Sequence, residues 1–263
     1  MSQNPLVSIV MTSYNTSKFI PECLDTIMSQ TYKNWEIVYV DDASDDDSIE
    51  VFKKYVIQHG LIDRVIMFRY VANNGYGAGL FNSIEQASGE IIAIVDSDDG
   101  LSDRNALDIM VKTHIANPDV SLVYSNYEEC RDDLKPYKKI HCTTLKPGQS
   151  VMGKFSNGKY YGSDVVISHL KTFKKRFYDM TEKVNPFLKK AVDRDIVLKL
   201  EEVGRIIHIP QFLYLHRIHS GSISSQWRNK PKEYRDSVVK MKTAMYRGAW
   251  ERRQNKKMET QIV

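Results

Sequence analysis

Strand-like and helix-like segments alternate through residues 6–100, and this alternation constrains the fold more than any other feature of the chain. Four short apolar runs rich in Val and Ile, at residues 6–11, 35–40, 65–70 and 91–95, are separated by segments whose apolar residues recur at helical spacing. Strands that alternate with helices in this way are typical of a parallel sheet with crossover helices. The sequence therefore predicts an α/β fold with a Rossmann-like, mostly parallel sheet flanked by helices.

The chain after residue 100 is less regular. Its apolar residues predict further elements, which are a helix at 107–115, a strand at 120–124, a strand at 162–167, a helix at 192–203 and two short strands at 206–209 and 212–215. Residues 128–160 are rich in Lys, Gly and polar side chains and show no periodicity, so we expect a long loop or a poorly ordered insertion there. Pro210 separates the last two strands, because proline cannot donate to a strand ladder.

No internal repeat, low-complexity tract or flexible linker divides the chain. We predict one domain over residues 1–225, with halves at 1–127 and 128–225, followed by a basic helical tail at 226–263. Between residues 228 and 257 the chain holds 11 Lys or Arg side chains against three acids. Two interpretations of this charge remain open: a solvated helix with one face packed on the domain, or a peripheral contact with an anionic membrane. Nucleic-acid binding is not expected, because no recognition module accompanies the basic residues.

Hydropathy and cysteine usage indicate a cytoplasmic protein. No apolar run reaches the roughly 20 residues of a membrane span, and the opening residues lack the pattern of a secretory signal. The three cysteines, Cys23, Cys130 and Cys142, are odd in number and lack metal-ligand spacing, which favours a reducing compartment over a disulfide framework. The basic tail adds the inner face of the membrane as a second expected location.

The strand at 91–95 ends in three carboxylates, Asp96, Asp98 and Asp99, followed by Gly100. A buried strand that delivers clustered acids to its carboxyl end is costly unless a cation neutralises them. A hard divalent cation, Mg²⁺ or Mn²⁺, bound by carboxylate oxygens together with substrate phosphate, would do so. An acidic surface turn is the alternative, since Asp and Gly both favour turns.

Polar residues also follow the first two strands. Residues 12–15 are Thr, Ser, Tyr and Asn, and residues 41–42 are both Asp. The carboxyl ends of parallel strands lie at one edge of a sheet, where ligands bind in a crevice. Taken singly, each group also suits a helix cap or a turn. Together they predict one ligand pocket at this edge.

Eight segments, at 7–15, 29–31, 35–44, 73–79, 87–90, 95–99, 193–196 and 214–220, carry a resemblance to a known family. In this order they resemble the inverting nucleotide-sugar glycosyltransferases of family 2, and the resemblance covers residues 7–224. It implies a GT-A fold, a nucleotide-sugar donor and a Mn²⁺ or Mg²⁺ cofactor. It also implies that the half at 1–127 binds the nucleotide sugar and that the half at 128–225 binds the acceptor.

The resemblance assigns roles to individual residues. The nucleotide sugar would be bound by Thr12, Tyr14, Asp42, Asn73, Asp96, Asp98 and Arg217, and the metal by Asp99, Asp98 and His219. An Asp at position 42 can accept a hydrogen bond from the ring N–H of uracil or thymine, and Tyr14 can stack on that ring. UDP or dTDP donors are therefore favoured.

The catalytic base would be Asp193, which aligns with the second acid of the family's Glu-Asp pair. Val192 stands at the position of the first acid, so one supporting contact is missing. Asp195 is interpreted as an ordinary acid in the first turn of a helix. A second departure from the family is Phe81, which stands where many members carry an Arg.

The leading hypothesis is a metal-dependent, inverting glycosyltransferase of polysaccharide biosynthesis. It would move a sugar from a nucleotide-diphosphate donor to a hydroxyl of a glycan or lipid-linked acceptor. Two alternatives remain: a Mg²⁺-dependent phosphoryl-transfer enzyme that uses the acids at 96–99, and a non-catalytic nucleotide-sugar-binding protein. Donor-dependent release of nucleoside diphosphate separates the first hypothesis from both.

Overall fold

A computed structural model of the chain describes residues 1–152, 155–156, 159–160, 165–222 and 230–262. The strands are β1 (Val7–Ser13), β2 (Trp35–Asp41), β3 (Val65–Arg69), β4 (Ile91–Ile94), β5 (Gly100–Leu101), β6 (Val120–Cys130), β7 (Pro136–Ile140), β8 (Phe155–Ser156), β9 (Lys159–Tyr160), β10 (Lys171–Lys174) and β11 (Arg205–Arg217). The helices are α1 (Ile20–Met28), α2 (Ser48–Gln58), α3 (Tyr76–Gln86), α4 (Ala106–Ala116), α5 (Lys175–Tyr178), α6 (Val192–Glu201) and α7 (Lys232–Ile262).

One sheet organises the molecule, with the strand order β3-β2-β1-β4-β10-β6-β11-β5 and β7 paired to β6. The strands β3, β2, β1 and β4 are parallel neighbours, as the alternation in the sequence predicts. β10 runs antiparallel between β4 and β6, and β11 runs parallel to β6. β8 and β9 form a separate pair.

Helices cover both faces of the sheet, which explains why its central strands carry so few polar residues. On one face Ile9 and Ala93 pack in a core with residues of α1, α2 and α4. On the other face Val10 and Ile94 pack with residues of α3 and α6. The short strand β4 is buried along its whole length, so the loop that follows it emerges directly from the core.

The prediction of a long loop at 128–160 is wrong for residues 128–140, whereas residues 141–152 contain neither a strand nor a helix. β6 continues to Cys130, and β7 pairs with it antiparallel, placing Glu128 opposite Lys139 and Glu129 opposite Lys138. The Lys138 ammonium lies 3.2 Å from the Glu129 carboxylate. This hairpin carries charged cross-strand pairs instead of an apolar alternation, so periodicity gives no signal for it.

Two further strand predictions need correction. The two short strands around Pro210 are one strand, β11, whose pairing with β6 shifts register between Ile209 and Phe212. Of the strand predicted at 162–167, residues 162–164 lie outside the described residues, and 165–167 are not in a strand. The strand in this region is β10 instead. Its sequence, Lys-Thr-Phe-Lys, is typical of a surface segment, yet all four of its residues are buried.

The tail helix α7 packs one face on the domain, which confirms that interpretation of its charge. Tyr246 and Ala249 are buried against Leu198 of α6. Arg252 and Arg253 form ion pairs with Glu202 (2.8 Å) and Glu201 (2.7 Å), both at the end of α6. None of the helices in the described part of the chain has both the length and the apolar composition of a membrane span.

Candidate active site

A cavity of about 570 Å³ opens at the edge of the sheet where β1, β2 and β4 end. The cavity is lined by Thr12, Tyr14, Asn15, Thr16, Asp42, Asn73, Gly75, Tyr76, Asp96, Ser97, Asp98, Asp99, Lys189, Lys190, His216, His219, Gly221 and Ser222. The strand ends therefore converge on one pocket, as the sequence predicts. Of the ten site residues predicted, eight line this cavity, and the other two, Arg217 and Asp193, lie elsewhere.

Asp42 lies at one end of the cavity and holds the glycine-rich turn that begins α3. Its two carboxylate oxygens accept hydrogen bonds from the backbone N–H groups of Asn74 (2.7 Å) and Gly75 (2.8 Å). Burial raises the pKa of the Asp42 carboxyl, and these two hydrogen bonds oppose that shift. Tyr14 is 46% exposed, so its ring is accessible to a ligand.

The acidic loop, residues 96–99, lies at the other end of the cavity. Asp99 is 1% exposed, and it accepts hydrogen bonds from the Tyr214 hydroxyl (2.8 Å) and the Arg217 backbone N–H (2.8 Å). The Tyr76 hydroxyl donates to Asp96 at 2.9 Å. Burial, then the negative charge of Asp98, raises the pKa of Asp96 to about 7, and the same causes raise the pKa of Asp99 well above its usual range. A bound cation would relieve this accumulation of buried negative charge.

Arg217 supports the acidic loop from beneath the cavity. Its side chain is completely buried, and its Nε donates to the Asp98 carbonyl at 2.6 Å. The guanidinium also contacts Glu22 at 2.9 Å and the carbonyl of Asp132. His219 does line the cavity, where its Nε2 lies 2.9 Å from the Asp98 carboxylate.

A segment at residues 183–191, here called the strap, crosses the beginning of α3 and brings Lys189 and Lys190 to the cavity. Its backbone packs so closely that a Cβ at Gly77 would lie 2.3 Å from the Leu188 carbonyl oxygen. The glycine-rich turn thus provides space for the strap.

Asp193 and Asp195 both occupy the first turn of α6, but their surroundings differ. Asp195 is 5% exposed and forms an ion pair with Lys199 at 2.9 Å. Asp193 is exposed. Its charge adds to the shifts that burial and nearer groups produce in the pKa values of Tyr76 and Asp96, so it lies within electrostatic range of the cavity.

Comparison with known proteins supplies the deciding observation. The family model described as glycosyl transferase family 2 matches residues 8–180, more than half of the chain. The chain belongs to glycosyl transferase family 2. The family 2 transferase is 31% identical to glycosyltransferase GlyG of Streptococcus pneumoniae over 225 residues, which cover 83% of this chain and 72% of GlyG. It is 28% identical to a chondroitin synthase of Escherichia coli over 247 residues, which cover 89% of this chain but 32% of that enzyme.

Solved structures show the same fold. A crystal structure of S. aureus TarS in complex with UDP matches with a TM-score of 0.63 and 20% identity, covering 81% of this chain and 60% of the other. A mannosyltransferase from Pyrobaculum calidifontis, in complex with GDP-Man and Mn²⁺, matches with a TM-score of 0.63 and 22% identity, covering 86% and 61%. The family 2 transferase therefore has the GT-A fold that the resemblance implies.

The side chains of the family 2 transferase fit a divalent cation. Asp96, Asp99 and His169 each offer one ligand atom, and these atoms lie within 4.8 Å of one another. Carboxylate oxygens suit Mg²⁺ and Mn²⁺, and an imidazole nitrogen is also a common metal ligand. Asp99 belongs to this set and to the predicted set with Asp98 and His219, so it is the residue that both arrangements require.

Three residues near the cavity of the family 2 transferase, His169, Lys189 and Lys190, were not predicted from the sequence. They fall in a part of the chain without periodicity or a family motif. Tertiary packing places Lys189 and Lys190 at the cavity on the strap, and it places His169, two residues before β10, beside Asp96 and Asp99. The sequence does show two adjacent lysines, four and three residues before Asp193, which is a weak indication of an anion-binding site.

Replacing Gly77 by Ala is expected to destabilise the family 2 transferase by about 1–3 kcal/mol, the usual cost of overpacking. A loss of stability would be informative, because Ala in a helix is normally more favourable than Gly by about 1 kcal/mol. The added Cβ would meet the carbonyl oxygens of Leu188 at 2.3 Å and Asn185 at 3.0 Å. Chemical denaturation measures the effect.

Gly248→Ala on α7 is the matched control, since its Cβ would meet only Arg252 at 3.5 Å. This control should be neutral or stabilising. A stabilising effect of Gly77→Ala would contradict the packing of the strap on α3.

Proposed function

We propose that this protein is a metal-dependent, inverting glycosyltransferase that takes its sugar from a nucleotide-diphosphate donor, with UDP or dTDP favoured. The observation that carries the proposal is the set of four carboxylates, Asp42, Asp96, Asp98 and Asp99, which line one cavity in a family 2 chain. The acids at the two ends of the cavity have separate tasks. Asp42, with Thr12, Tyr14 and Asn73, binds the nucleobase, and the acidic loop binds the metal and the diphosphate.

The proposed reaction is a direct displacement at the anomeric carbon. The acceptor hydroxyl attacks that carbon from the face opposite the diphosphate, the bond from the carbon to the phosphate oxygen breaks, and a carboxylate oxygen of Asp193 takes the hydroxyl proton. Attack opposite the leaving group inverts the configuration. Asp99, with Asp96 and His169 or with Asp98 and His219, would hold a Mn²⁺ or Mg²⁺ ion, which would supply Lewis-acid stabilisation of the departing diphosphate.

The proposed acceptor is a hydroxyl of a glycan or of a lipid-linked sugar, in keeping with relatives described as chondroitin and hyaluronan synthases. We assign donor binding to residues 1–127 and acceptor binding to 128–225. The first range supplies the nucleobase pocket (Thr12, Tyr14, Asp42 and Asn73) and the acidic loop. The second supplies Asp193, in the first turn of α6. The family match and the proposed nucleobase pocket favour this proposal over phosphoryl transfer and over nucleotide-sugar binding without catalysis.

The tail leads to a further proposal, a peripheral contact with an anionic membrane at its cytoplasmic face. Lys240, Lys242 and Arg247 are exposed on α7, together with Val239 and Trp250. Basic side chains with apolar neighbours suit anionic headgroups. Sedimentation with vesicles that contain an anionic lipid tests this contact, and equal recovery with neutral vesicles would argue against it.

A binding screen tests the proposed donor. UDP-, dTDP- and GDP-sugars are titrated into the purified protein by calorimetry, with Mn²⁺ and again with EDTA. We expect UDP- or dTDP-sugars to bind more tightly than GDP-sugars and Mn²⁺ to strengthen the binding. Failure of every nucleotide sugar to bind would overturn the proposed function.

Asp42→Ala is expected to weaken UDP binding by about 1.5–3 kcal/mol, the range for a hydrogen bond that involves a charged group. The substitution removes the carboxylate that is proposed to accept a hydrogen bond from the nucleobase. It also removes the hydrogen bonds that the backbone N–H groups of Asn74 and Gly75 donate to this carboxylate. Asp63→Ala is a control, because it removes the same charge at an exposed position away from the cavity. Unchanged affinity for both UDP and dTDP would show that Asp42 only holds the turn.

A further inference from the structure

The charges that line the cavity are strongly unbalanced. Four carboxylates face the cavity, and a nucleoside diphosphate would add the negative charge of two phosphates. Among the lining residues that the structure describes, the side chains with permanent positive charge are Lys189 and Lys190. A single divalent cation would balance only part of the negative charge, so these two ammonium groups are placed where an anionic ligand needs them.

The strap that carries the two lysines is firmly anchored at its beginning. The Lys183 ammonium forms an ion pair with Glu85 of α3 at 2.6 Å, and the Lys183 carbonyl accepts from Lys199 of α6 at 2.6 Å. The Asn185 backbone N–H donates to Asp195 at 3.1 Å. These contacts tie the strap to two helices. Lys189 and Lys190 are therefore presented from a fixed backbone, which lowers the entropy that is lost when they bind a ligand.

The two lysines differ from the other lysines of this region. Lys183 and Lys199 are engaged in ion pairs with Glu85 and Asp195. Within the described part of the chain, neither Lys189 nor Lys190 lies within ion-pair distance of a carboxylate. Lys189 packs its Cγ 3.4 Å from the position of a Cβ at Gly75, in the turn that Asp42 holds. It is thus close to the proposed nucleobase pocket, where burial raises the pKa of the Asp42 carboxyl and the positive charge of Lys189 is among the influences that oppose this shift.

We propose that Lys189 and Lys190 bind the diphosphate of the donor, an inference that rests on the proposed function. Lys189 reaches the cavity beside the turn at Gly75, and the acidic loop lines the same cavity. Phosphates bound there would meet the ammonium groups and a metal held by the acidic loop. Asp193 follows Lys190 by three residues and lies just beyond the strap, in the first turn of α6. The strap would thus be the part of residues 128–225 that contacts the donor, directly before the proposed catalytic base.

The test compares three probes, UDP, UMP and uridine, with the purified full chain. Lys189→Met and Lys190→Met, singly and together, remove the charge and keep most of the side-chain length. Each single variant should bind UDP about tenfold more weakly, at the lower end of the range for charged hydrogen bonds, and should bind uridine as the parent does. The loss should persist in EDTA, because it comes from the lysines and not from the metal.

Two control variants sharpen the test. Lys112→Met removes an exposed lysine on α4, whose ion pair with Asp108 is far from the cavity lining, and it should leave UDP affinity unchanged. Lys190→Arg keeps the positive charge and should retain most of the affinity that Lys190→Met loses. A melting temperature for each variant shows that the fold is kept.

Two results would overturn the inference: unchanged UDP affinity in the double variant, or a loss of uridine affinity as large as the loss of UDP affinity. If the parent protein binds none of the three probes, the proposed function fails as well. If the parent protein binds UDP and the lysine variants bind it with the same affinity, this inference fails and the proposed function stands.

Discussion

Asp99→Asn is expected to lower sugar transfer by at least about 10³-fold and to abolish the strengthening of nucleotide binding by Mn²⁺. Asp99 is the one carboxylate shared by both candidate ligand sets, so its loss weakens the metal site in either arrangement. A Lewis-acid metal contributes several kcal/mol to catalysis, and each 1.36 kcal/mol is about tenfold in rate. Calorimetry of UDP with and without Mn²⁺ and a transfer assay measure the two effects.

The surroundings of Asp99 in the structure predict that Asp99→Asn also lowers stability. An Asp on an exposed turn would tolerate Asn, but the Asp99 side chain is 1% exposed and accepts two hydrogen bonds. An Asn side chain keeps one acceptor oxygen, so we expect a loss of about 1–3 kcal/mol in the free energy of unfolding.

Tyr214→Phe is the matched control for Asp99→Asn, since it removes the hydrogen bond from Tyr214 and keeps the carboxylate. It should lose stability and still show Mn²⁺-dependent nucleotide binding. Full transfer activity in EDTA, or an intact Mn²⁺ effect in Asp99→Asn, would reject the metal assignment.

Asp193→Asn should reduce sugar transfer by roughly 10²–10⁴, the usual contribution of a positioned general base. Donor and Mn²⁺ affinities should stay within a few-fold of the parent, because Asp193 does not line the cavity with the nucleotide-binding residues. Its exposure in the first turn of α6 leaves the carboxylate free to accept a proton from an entering hydroxyl. Steady-state rates at saturating donor measure the effect.

Asp195→Asn provides the contrast. Asp195 is engaged in a buried ion pair with Lys199 and accepts from the strap, so its neutralisation should cost about 3 kcal/mol of stability. The rate of transfer by the folded fraction should change little. A near-parental rate for Asp193→Asn would mean that the base lies elsewhere and that the proposed mechanism is wrong.

The sequence predicts the first half of the chain well, because two signals coincide there. Apolar residues give the period of each strand and helix from β1 to β4, and polar residues mark the point where each strand ends. Because the parallel strands end at one edge of the sheet, Asp42 and the acidic loop are then expected to line one cavity. That half therefore follows from periodicity and from the geometry of parallel strands.

The second half could not be predicted in the same way, because its structure depends on contacts between distant residues. β10 contains two buried lysines, Lys171 and Lys174. The Lys174 ammonium donates to the carbonyls of Asn117 and Pro118, partners that no local pattern indicates. Arg217 illustrates the same limit: the resemblance assigns it to the nucleotide sugar, but its side chain is completely buried and donates to the Asp98 carbonyl instead of lining the cavity.

The most direct test of the central claim is the release of nucleoside diphosphate from a nucleotide sugar by the purified protein, with and without an added glycan acceptor. With Mn²⁺ present, we expect release from a UDP- or dTDP-sugar that stops in EDTA and in Asp99→Asn and falls strongly in Asp193→Asn. A protein that binds none of the UDP-, dTDP- and GDP-sugars, or that releases diphosphate equally well when Asp99 is replaced by Asn, would contradict the account.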